Sequence, residues 1–209
     1  MEVDHLKWPS GRLRREDYNP RLYGVTMATA RTGSFYLTET ITFPAASASG
    51  TRIQGSVDLG AYVNVATGQA IAIDSVDFVF QHGDYNSAAR NMVQANGTFT
   101  VQLSDLNPGT TFIRADDQSL VASGALNIDH ANNIVSSETD LYPDNYGPSA
   151  LSEMFLVVND TLYLVAGNNL ATTAAAENVY VTARIRARVV KLGSKDWMAI
   201  AIQSTASDN

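Results

Sequence analysis

Residues 178–193 read NVYVTARIRARVVKLG, and apolar and polar side chains alternate along them with a period of two. A helix would scatter Arg184, Arg186 and Arg188 around its circumference, whereas a strand places them in one row. The residues up to Val190 would form a strand about 40 Å long, with its arginines about 7 Å apart. The stretch therefore predicts a long strand in the centre of the core, with one apolar face and one face that carries arginines.

Shorter stretches with the same period lie along the rest of the chain. Asp74 and Ser75 mark a change of phase within one of them, which predicts a β-bulge there. Residues 87–95 have helix-capping residues at both ends and predict a short helix. The other strands, including a hairpin that turns at Asn159 and Asp160, are predicted at 34–43, 51–58, 60–65, 69–81, 98–103, 110–114, 119–128, 154–167 and 196–203.

This order of elements has no alternation of strands with helices and no repeat of fixed period, which argues against α/β folds, propellers and β-helices. We therefore predict an all-β protein, an antiparallel β-sandwich of the jelly-roll type with one or two short helices. The predicted domains are an extended N-terminal arm at residues 1–24 and a sandwich at residues 25–209.

The arm has no apolar periodicity, and Pro9 and Pro20 oppose a helix in it. Its large aromatic side chains can anchor it on another surface, so we predict that it docks on a partner subunit. A disordered tail is the open alternative. The residues predicted to make the arm's interface are Trp8, Arg12, Arg14, Arg15, Tyr18 and Tyr23.

Charge is distributed unevenly along the chain, whose net charge is −7. Residues 1–31 carry six basic and four acidic groups, and residues 178–209 carry five and two. Residues 32–177 carry three basic and fifteen acidic groups, so the body is strongly acidic between two basic ends. The basic ends either pair with the acidic body, of this copy or of a neighbour, or face a polyanion.

No sequence motif identifies a reaction. The chain has no cysteine, which excludes disulfides and thiolate metal sites, and its start lacks the apolar core of a secretory signal. Nucleotide-binding glycine loops and the G-x-S-x-G hydrolase motif are absent, and no apolar run is long enough to span a bilayer. His5, His82 and His130 do not have the spacing of a metal pair. The sequence therefore predicts no cofactor, no metal and no enzymatic activity.

Two groups of carboxylates can be compared with known chemistry. Glu39 lies on the apolar face of its strand, where burial would raise its pKa and suit an acid catalyst, although pairing with an arginine is the simpler alternative. Asp116 and Asp117, and the oxygen-rich stretch at 140–145, could hold Ca²⁺, but neither has the spacing of a calcium loop.

The arginine row, with Tyr180 at its start, is the strongest constellation and is predicted to be an interface. Cross-strand pairing with Asp74 or Asp77 is the structural alternative. The other alternative is that the arginines contact nucleic-acid phosphates while Tyr180 stacks on a base. The acidic body would repel a polyanion, so the row Tyr180, Arg184, Arg186 and Arg188 is better explained by contact with protein than with genome.

The mixed-charge aromatic arm at residues 6–24, the strand series at 34–203 and the loops rich in Asn, Pro and Gly together resemble a viral jelly-roll capsid protein. The resemblance covers nearly the whole chain as architecture, without a motif specific to one family. It implies self-assembly into a symmetric virion shell, with copies of the chain and other virion proteins as partners. The arm departs from the common pattern because acidic residues offset its basic ones, which weakens the case for contact between arm and genome.

Two other classes of function stay open. A carbohydrate-binding or adhesin-like sandwich would need an exposed aromatic platform, for which Tyr142 and Tyr146 are candidates. A glycan-cleaving enzyme would need Glu39 and a second carboxylate at the right separation.

Overall fold

The computed structural model of the protein describes residues 29–30, 32–136 and 154–206. Within them lies one α-helix, α1 (Ser194–Ala206), together with 3₁₀ turns at Val65–Thr67 and Ala89–Met92. The arm predicted at residues 1–24 lies outside the described residues. The described strands are β1 (Thr29–Ala30), β2 (Phe35–Phe43), β3 (Arg52–Asp58), β4 (Gln69–His82), β5 (Gly97–Ser104), β6 (Leu120–Asp129), β7 (Ile134–Ser136), β8 (Phe155–Val157), β9 (Thr161–Asn169) and β10 (Val179–Lys191).

The strands form two sheets, and every described pairing is antiparallel. The first sheet has the order β2-β10-β4-β8, with β1 beside the last residues of β10. The second sheet has the order β3-β9-β5-β6-β7. The predicted all-β antiparallel sandwich is therefore confirmed. The pairing is also nested along the chain: β2 pairs with β10, β3 with β9, β4 with β8 and β5 with β6.

Strand β10 lies between β2 and β4 and is the centre of the first sheet. Its odd-numbered residues from Val179 to Val189 are buried, and the even-numbered residues from Tyr180 to Arg188 are partly or fully exposed. The predicted strand and its two faces are thus correct. Each of Val179, Val181 and Ile185 is fully buried, and such burial contributes about 1.5–3 kcal/mol per side chain.

The core fills the space between the inner faces of the sheets. Phe43 on β2 and Phe99 on β5 make an edge-to-face contact across it, with ring centroids 5.6 Å apart. Small and branched side chains of β9 and β10 fill the remaining volume, so one apolar cluster runs through the whole sandwich.

The β-bulge predicted at Asp74 and Ser75 is confirmed. Ser75 is the register partner of Arg186, and the next residue of β10, Ala187, is the partner of Ile73. Asp74 is the extra residue, and the apolar phase of β4 reverses on its two sides.

The strand predicted at 196–203 is wrong, because this segment is part of helix α1. Trp197, Ile200 and Ala201 have helical spacing and pack on a second apolar cluster, which is separate from the core and lies on the outer face of the first sheet. That cluster consists of Ala70, Ala72, Val158, Val190 and Leu192.

The hairpin predicted at 154–167 is also wrong. Strand β8 pairs with β4 in the first sheet, whereas β9 pairs with β3 and β5 in the second sheet. Asn159 and Asp160 therefore connect the two sheets across one end of the sandwich. Residues 60–65 and 110–114 are not strands, and only Ala89–Met92 of the predicted helix at 87–95 is helical, as a 3₁₀ turn. That turn ends because Val93 is extended and bridges Thr173 on the next loop.

Candidate functional site

The predicted arginine row lies on the outer face of the first sheet, and we call this surface the arginine face. It consists of Tyr36 on β2 together with Tyr180, Arg184, Arg186 and Arg188 on β10. The outward orientation follows from the period of two, because the alternate residues of β10 fill the core. Helix α1 covers the outer surface near Val190 at one end of β10, and the two tyrosines and Arg184 lie further along the strand.

Arg188 has a structural role within this face. Its Nη2 lies 3.0 Å from Oδ1 of Asp74, the bulged residue of β4. Ser34 donates a hydrogen bond to the other oxygen of the same carboxylate, over 3.3 Å. The side chains of Arg188 and Asp74 are largely shielded from water, so the pairing with Asp74 that the sequence suggested holds for this arginine.

Arg184 and Arg186 are exposed and make no ion pair, since the Arg188–Asp74 pair is the one formed among the described side chains. Asp77 is the register partner of Arg184, yet the guanidinium of Arg184 lies over the ring of Tyr36, 5.2 Å from its centroid. Such a cation–π contact holds the guanidinium flat against the sheet. Two guanidinium groups beside an exposed tyrosine ring can bind carboxylates or other planar anions.

Tyr180 lies at the far end of the row, where its register partners are Thr42 on β2 and Gln81 on β4. Next to it, Thr40 and Thr182 share a hydrogen bond of 2.9 Å between their hydroxyl groups. The part of the arginine face around Tyr180 is therefore uncharged and rich in hydroxyl groups. The structure thus brings the four predicted residues of β10 onto one face, while the predicted residues of the arm lie outside the described part of the chain.

Glu39 faces inward between β2 and β3. Burial raises the pKa of its carboxyl group, and a hydrogen bond from the backbone N–H of Ser56 opposes this effect. Its carboxylate occupies the space beside Gly55 in which a Cβ atom would stand. No arginine among the described residues forms an ion pair with Glu39, whose partner there is the backbone of β3.

A second polar region lies at the end of the sandwich where β5 leads into β6, and sequence reasoning missed it. Asp105 is 2% exposed, and its Oδ1 has no hydrogen-bond partner. The pKa of Asp105 is raised to about 7, chiefly by burial and in smaller part by the nearby charge of Asp117, while a hydrogen bond from its own backbone N–H lowers it. Asp117 accepts hydrogen bonds from both the backbone N–H and the hydroxyl of Ser119.

Hydrogen bonds connect this region to the other loops at the same end. Asn159 donates from its side chain to the backbone carbonyl of Asp105 over 2.9 Å, and the backbone N–H of Leu59 donates to the carbonyl of Asp160. Asp58 accepts from the backbone N–H of Gly60 and is the register partner of Thr161. The backbones of these three connections are thereby held together at one end of the sandwich.

Metal binding finds no support among the described residues, where no group of three His, Asp or Glu side chains could hold an ion. Nδ1 of His82 accepts a hydrogen bond from the backbone N–H of Asp84, which makes it part of a local turn. Asp116 and Asp117 belong to the aspartate-rich end described above, and the other calcium candidate, at 140–145, lies outside the described residues.

One surface cleft of about 430 Å³ lies between the turn at residues 65–68 and residues 191–194, where β10 leads into α1. Lys191 is its one charged lining residue. The cleft is open to solvent and holds no pair of groups suited to acid–base chemistry.

No protein-family model and no curated protein matches the chain. No helix in the described residues has the length and apolar content needed to cross a membrane.

Proposed function

We propose that the chain is a structural subunit that assembles with copies of itself into a closed shell, as virion proteins do. The observation that carries this proposal is the nested pairing of the strands. The first long strand pairs with the last, the second with the next to last, and so on toward the middle of the chain. This pattern corresponds to a single long hairpin rolled into two sheets. The strand orders β2-β10-β4-β8 and β3-β9-β5-β6 support the interpretation as a jelly roll, a fold that is common among shell proteins.

This step is a fold-level analogy, because lectins and cupins use the same roll. The surface supports the choice of a self-associating protein. Among the large apolar side chains of the described residues, five are strongly exposed: Tyr85 by 86%, Leu170 by 79%, Val65 by 66%, and Met198 and Ile202 by 63% each. Where exposed apolar side chains of this size lie together, they are typical of surfaces that become covered by a partner.

Leu170 is the most informative of these residues. Its φ of 70° lies in the left-handed region, where a side chain with a Cβ atom costs about 1–2 kcal/mol. Its neighbours fix it there, since Asn168 is fully buried and donates a hydrogen bond to the carbonyl of Ala171 over 3.1 Å. A rigid loop that holds a leucine exposed in an unfavourable conformation is expected where the leucine contacts a partner.

The arginine face adds a second surface for contact between subunits. Arg184 and Arg186 lack acidic partners in the described part of their own chain, and the body of the chain carries an excess of acidic groups. Contact of this face with acidic residues of a neighbouring copy is electrostatically favourable.

Sedimentation and electron microscopy of the full-length protein test the proposal, and particles much larger than a monomer are expected. Leu170→Asn should weaken assembly without loss of folding stability, because asparagine tolerates the left-handed region. Ala46→Asn is the matched control, since Ala46 is also exposed and has a φ of 57°. A monomeric full-length protein at neutral pH and moderate salt would refute the proposal.

A carbohydrate-binding sandwich is the second candidate, and the exposed ring of Tyr36 is the observation that favours it. Tyr142 and Tyr146, the platform suggested by the sequence, lie outside the described residues. Binding on a glycan array that Tyr36→Ala abolishes, by a protein that stays monomeric, would favour this class over the shell subunit.

A further inference from the structure

The connection between β5 and β6 folds back over the outer face of the second sheet, and we call its residues 106–118 the strap. The strap contains no strand, and its backbone forms local turns, such as the hydrogen bond from the N–H of Asp117 to the carbonyl of Arg114. At its base, the backbone N–H of Asp105 donates to the carbonyl of Ser119. Both ends of the strap therefore meet at one point, which can act as a hinge.

A single side chain of the sheet holds the middle of the strap. Phe99, Val101 and Leu103 of β5 fill the core, so Gln102 between them points outward. The side-chain amide of Gln102 donates to the carbonyl of Ile113 over 2.9 Å, and it accepts from the N–H of Ile113 over 2.8 Å. Because these bonds use a side chain of β5, they can break while the ladder of the sheet stays intact.

The strap crosses from β5 over β9 to β3. The ring of Phe112 lies against Gly167 of β9, with Cε2 and Cζ 3.1 Å from the position that a Cβ of this glycine would take. The guanidinium carbon of Arg52 on β3 lies 4.9 Å from the centre of the same ring. Nearby, Nε2 of Gln54 on β3 donates to Oδ1 of Asn107 over 2.8 Å. Side-chain contacts therefore attach the strap to three neighbouring strands.

Two buried polar groups near the strap are costly in this arrangement. Thr100 is the register partner of Gly167, on which the ring of Phe112 lies, and it is fully buried. Its hydroxyl has no hydrogen-bond partner in the described part of the chain, and the same is true of Oδ1 of Asp105 at the hinge. Buried polar groups normally have partners, because burial removes the water that would otherwise serve. Movement of the strap away from the sheet would let water reach both groups.

The proton of Asp105 sets the balance between the closed and open strap. Burial disfavours a charged carboxylate, and the pKa of Asp105 is accordingly raised to about 7, with Asp117 at the other end of the strap adding a smaller effect. Ionisation of Asp105 in the closed form therefore leaves a buried charge without a counterion, and opening hydrates it. The other charged residues at this end of the sandwich are exposed and form no ion pair with it: Asp58, Arg114, Asp116, Asp160, Lys191 and Lys195.

We propose that the strap opens from the second sheet as Asp105 loses its proton, turning about Asp105 and Ser119 and leaving both sheets intact. The strap is thus a pH-dependent cover over the outer faces of β3, β9 and β5. In the open form, the ring of Phe112 and the amide of Gln102 become exposed. The inference does not depend on the proposed shell function, because every group that it uses lies in one chain.

Amide hydrogen exchange of the full-length protein, read by mass spectrometry, measures the opening directly, because the N–H of Ile113 is hydrogen-bonded in the closed strap. Peptides that contain the strap are compared with peptides that contain β10. After correction for the intrinsic pH dependence of exchange, the opening constant of the strap should rise about tenfold per pH unit from about pH 5.5 to about pH 7 and then level off. Equal protection of the strap and β10 would overturn the proposal, since the strap would then move only in global unfolding.

Asp105→Asn tests whether this carboxyl group controls the opening. The variant has no proton to lose at position 105, so the corrected opening constant of its strap should be the same across this range of pH. Asp116→Asn is the matched control, because Asp116 is an exposed residue of the strap itself, and it should keep the wild-type pH dependence. A pH dependence in Asp105→Asn equal to that of the wild type contradicts the proposal.

Gln102→Leu tests the attachment of the strap without touching the hinge. The variant leaves the N–H and carbonyl of Ile113 unpaired in the closed form only, so the opening constant at about pH 5.5 should rise at least about tenfold while β10 stays protected. Gln54→Leu, which removes a single hydrogen bond to Asn107, is the matched control and should raise it less than about threefold. Equal effects of the two variants, or an equal loss of protection in β10 and the strap, would show that Gln102 does not hold a separately moving strap, and the proposal would fail.

Discussion

Nη2 of Arg188 lies 3.0 Å from Oδ1 of Asp74, the residue that a bulge inserts into β4. Position 74 faces outward on the phase set by Ile71 and Ile73, and the bulge at this residue is where the phase changes to that of Val76. The bulge reverses the apolar phase of β4, and the residue it inserts carries the carboxylate that pairs with Arg188.

The first prediction concerns this ion pair. Arg188→Ala should lower the free energy of unfolding by about 1 kcal/mol, because the pair is partly shielded from water and Asp74 keeps a hydrogen bond from Ser34. Arg186→Ala, on the same row without an acidic partner, is the matched control and should change stability by less than about 0.5 kcal/mol. Urea unfolding measures both. Equal effects of the two variants would contradict a structural role specific to Arg188.

The second prediction concerns pH. The pKa of Asp105 is raised from 3.8 to about 7 by burial, so the folded protein keeps a proton that the unfolded chain has lost between these values. Stability from this group is fully present below about pH 4, and it falls as pH rises toward about 7. Above that value the loss is complete, because both states are then ionised.

Asp105→Asn removes the ionisable group and should therefore abolish this part of the pH dependence. Urea midpoints at about pH 5 and about pH 8 should differ less in the variant than in the wild type, with the variant the more stable at the higher pH. Asp117→Asn should shift the transition to lower pH, because a like charge no longer opposes ionisation of Asp105. Identical slopes in wild type and Asp105→Asn would show that the carboxyl group titrates normally.

The period of two was sufficient to predict β10, because a central strand with one buried face leaves a strong alternation in the sequence. The bulge at Asp74 was predicted in the same way, because the apolar residues on its two sides follow different phases of the period of two. Helix α1 was missed because all six residues from Trp197 to Ile202 are apolar, so their pattern fits strand and helix alike. A signal was nevertheless present: Ala70, Ala72 and Val190 put small apolar residues on an outward face, which requires a cover such as a helix.

The burial of Asp105 could not be predicted from local sequence. Asp105 is buried by connections that are distant along the chain, those of Leu59 and Asn159, and only the sandwich brings them together. The separation of β8 from β9 was missed for the same reason. Asn159 and Asp160 are typical turn residues, but whether the strands beside a turn pair with each other depends on the sheets available to them.

The third prediction tests the close contact of Gly55 and Glu39. A Cβ at position 55 would meet the carboxylate of Glu39, whose Cγ and Cδ lie 3.1 and 3.2 Å from it. Gly55→Ala should therefore destabilise the protein by about 1–3 kcal/mol. Glu39→Ala in the same chain should restore much of this loss, because it removes the obstructing atoms. Gly33→Ala is the control, since nothing lies within 4 Å of the position that its methyl group would take, and urea midpoints of all four proteins provide the comparison. A Gly55→Ala protein as stable as Gly33→Ala would contradict the close contact.

The last prediction tests the two faces of β10 against each other. Ile185 is fully buried between the sheets, whereas Arg184 and Arg186 on either side of it are exposed. Ile185→Asp places an unpaired charge in the core and should prevent folding at neutral pH, since its cost approaches the whole stability of a domain. Ile185→Ala leaves a cavity instead and should cost about 2–5 kcal/mol, which keeps the variant measurable if the aspartate variant is insoluble. Arg184→Asp should fold with nearly wild-type stability, because its side chain is in water. Circular dichroism and urea unfolding distinguish these outcomes, and an Ile185→Asp protein with a wild-type unfolding midpoint would overturn the placement of β10 at the centre of the sandwich.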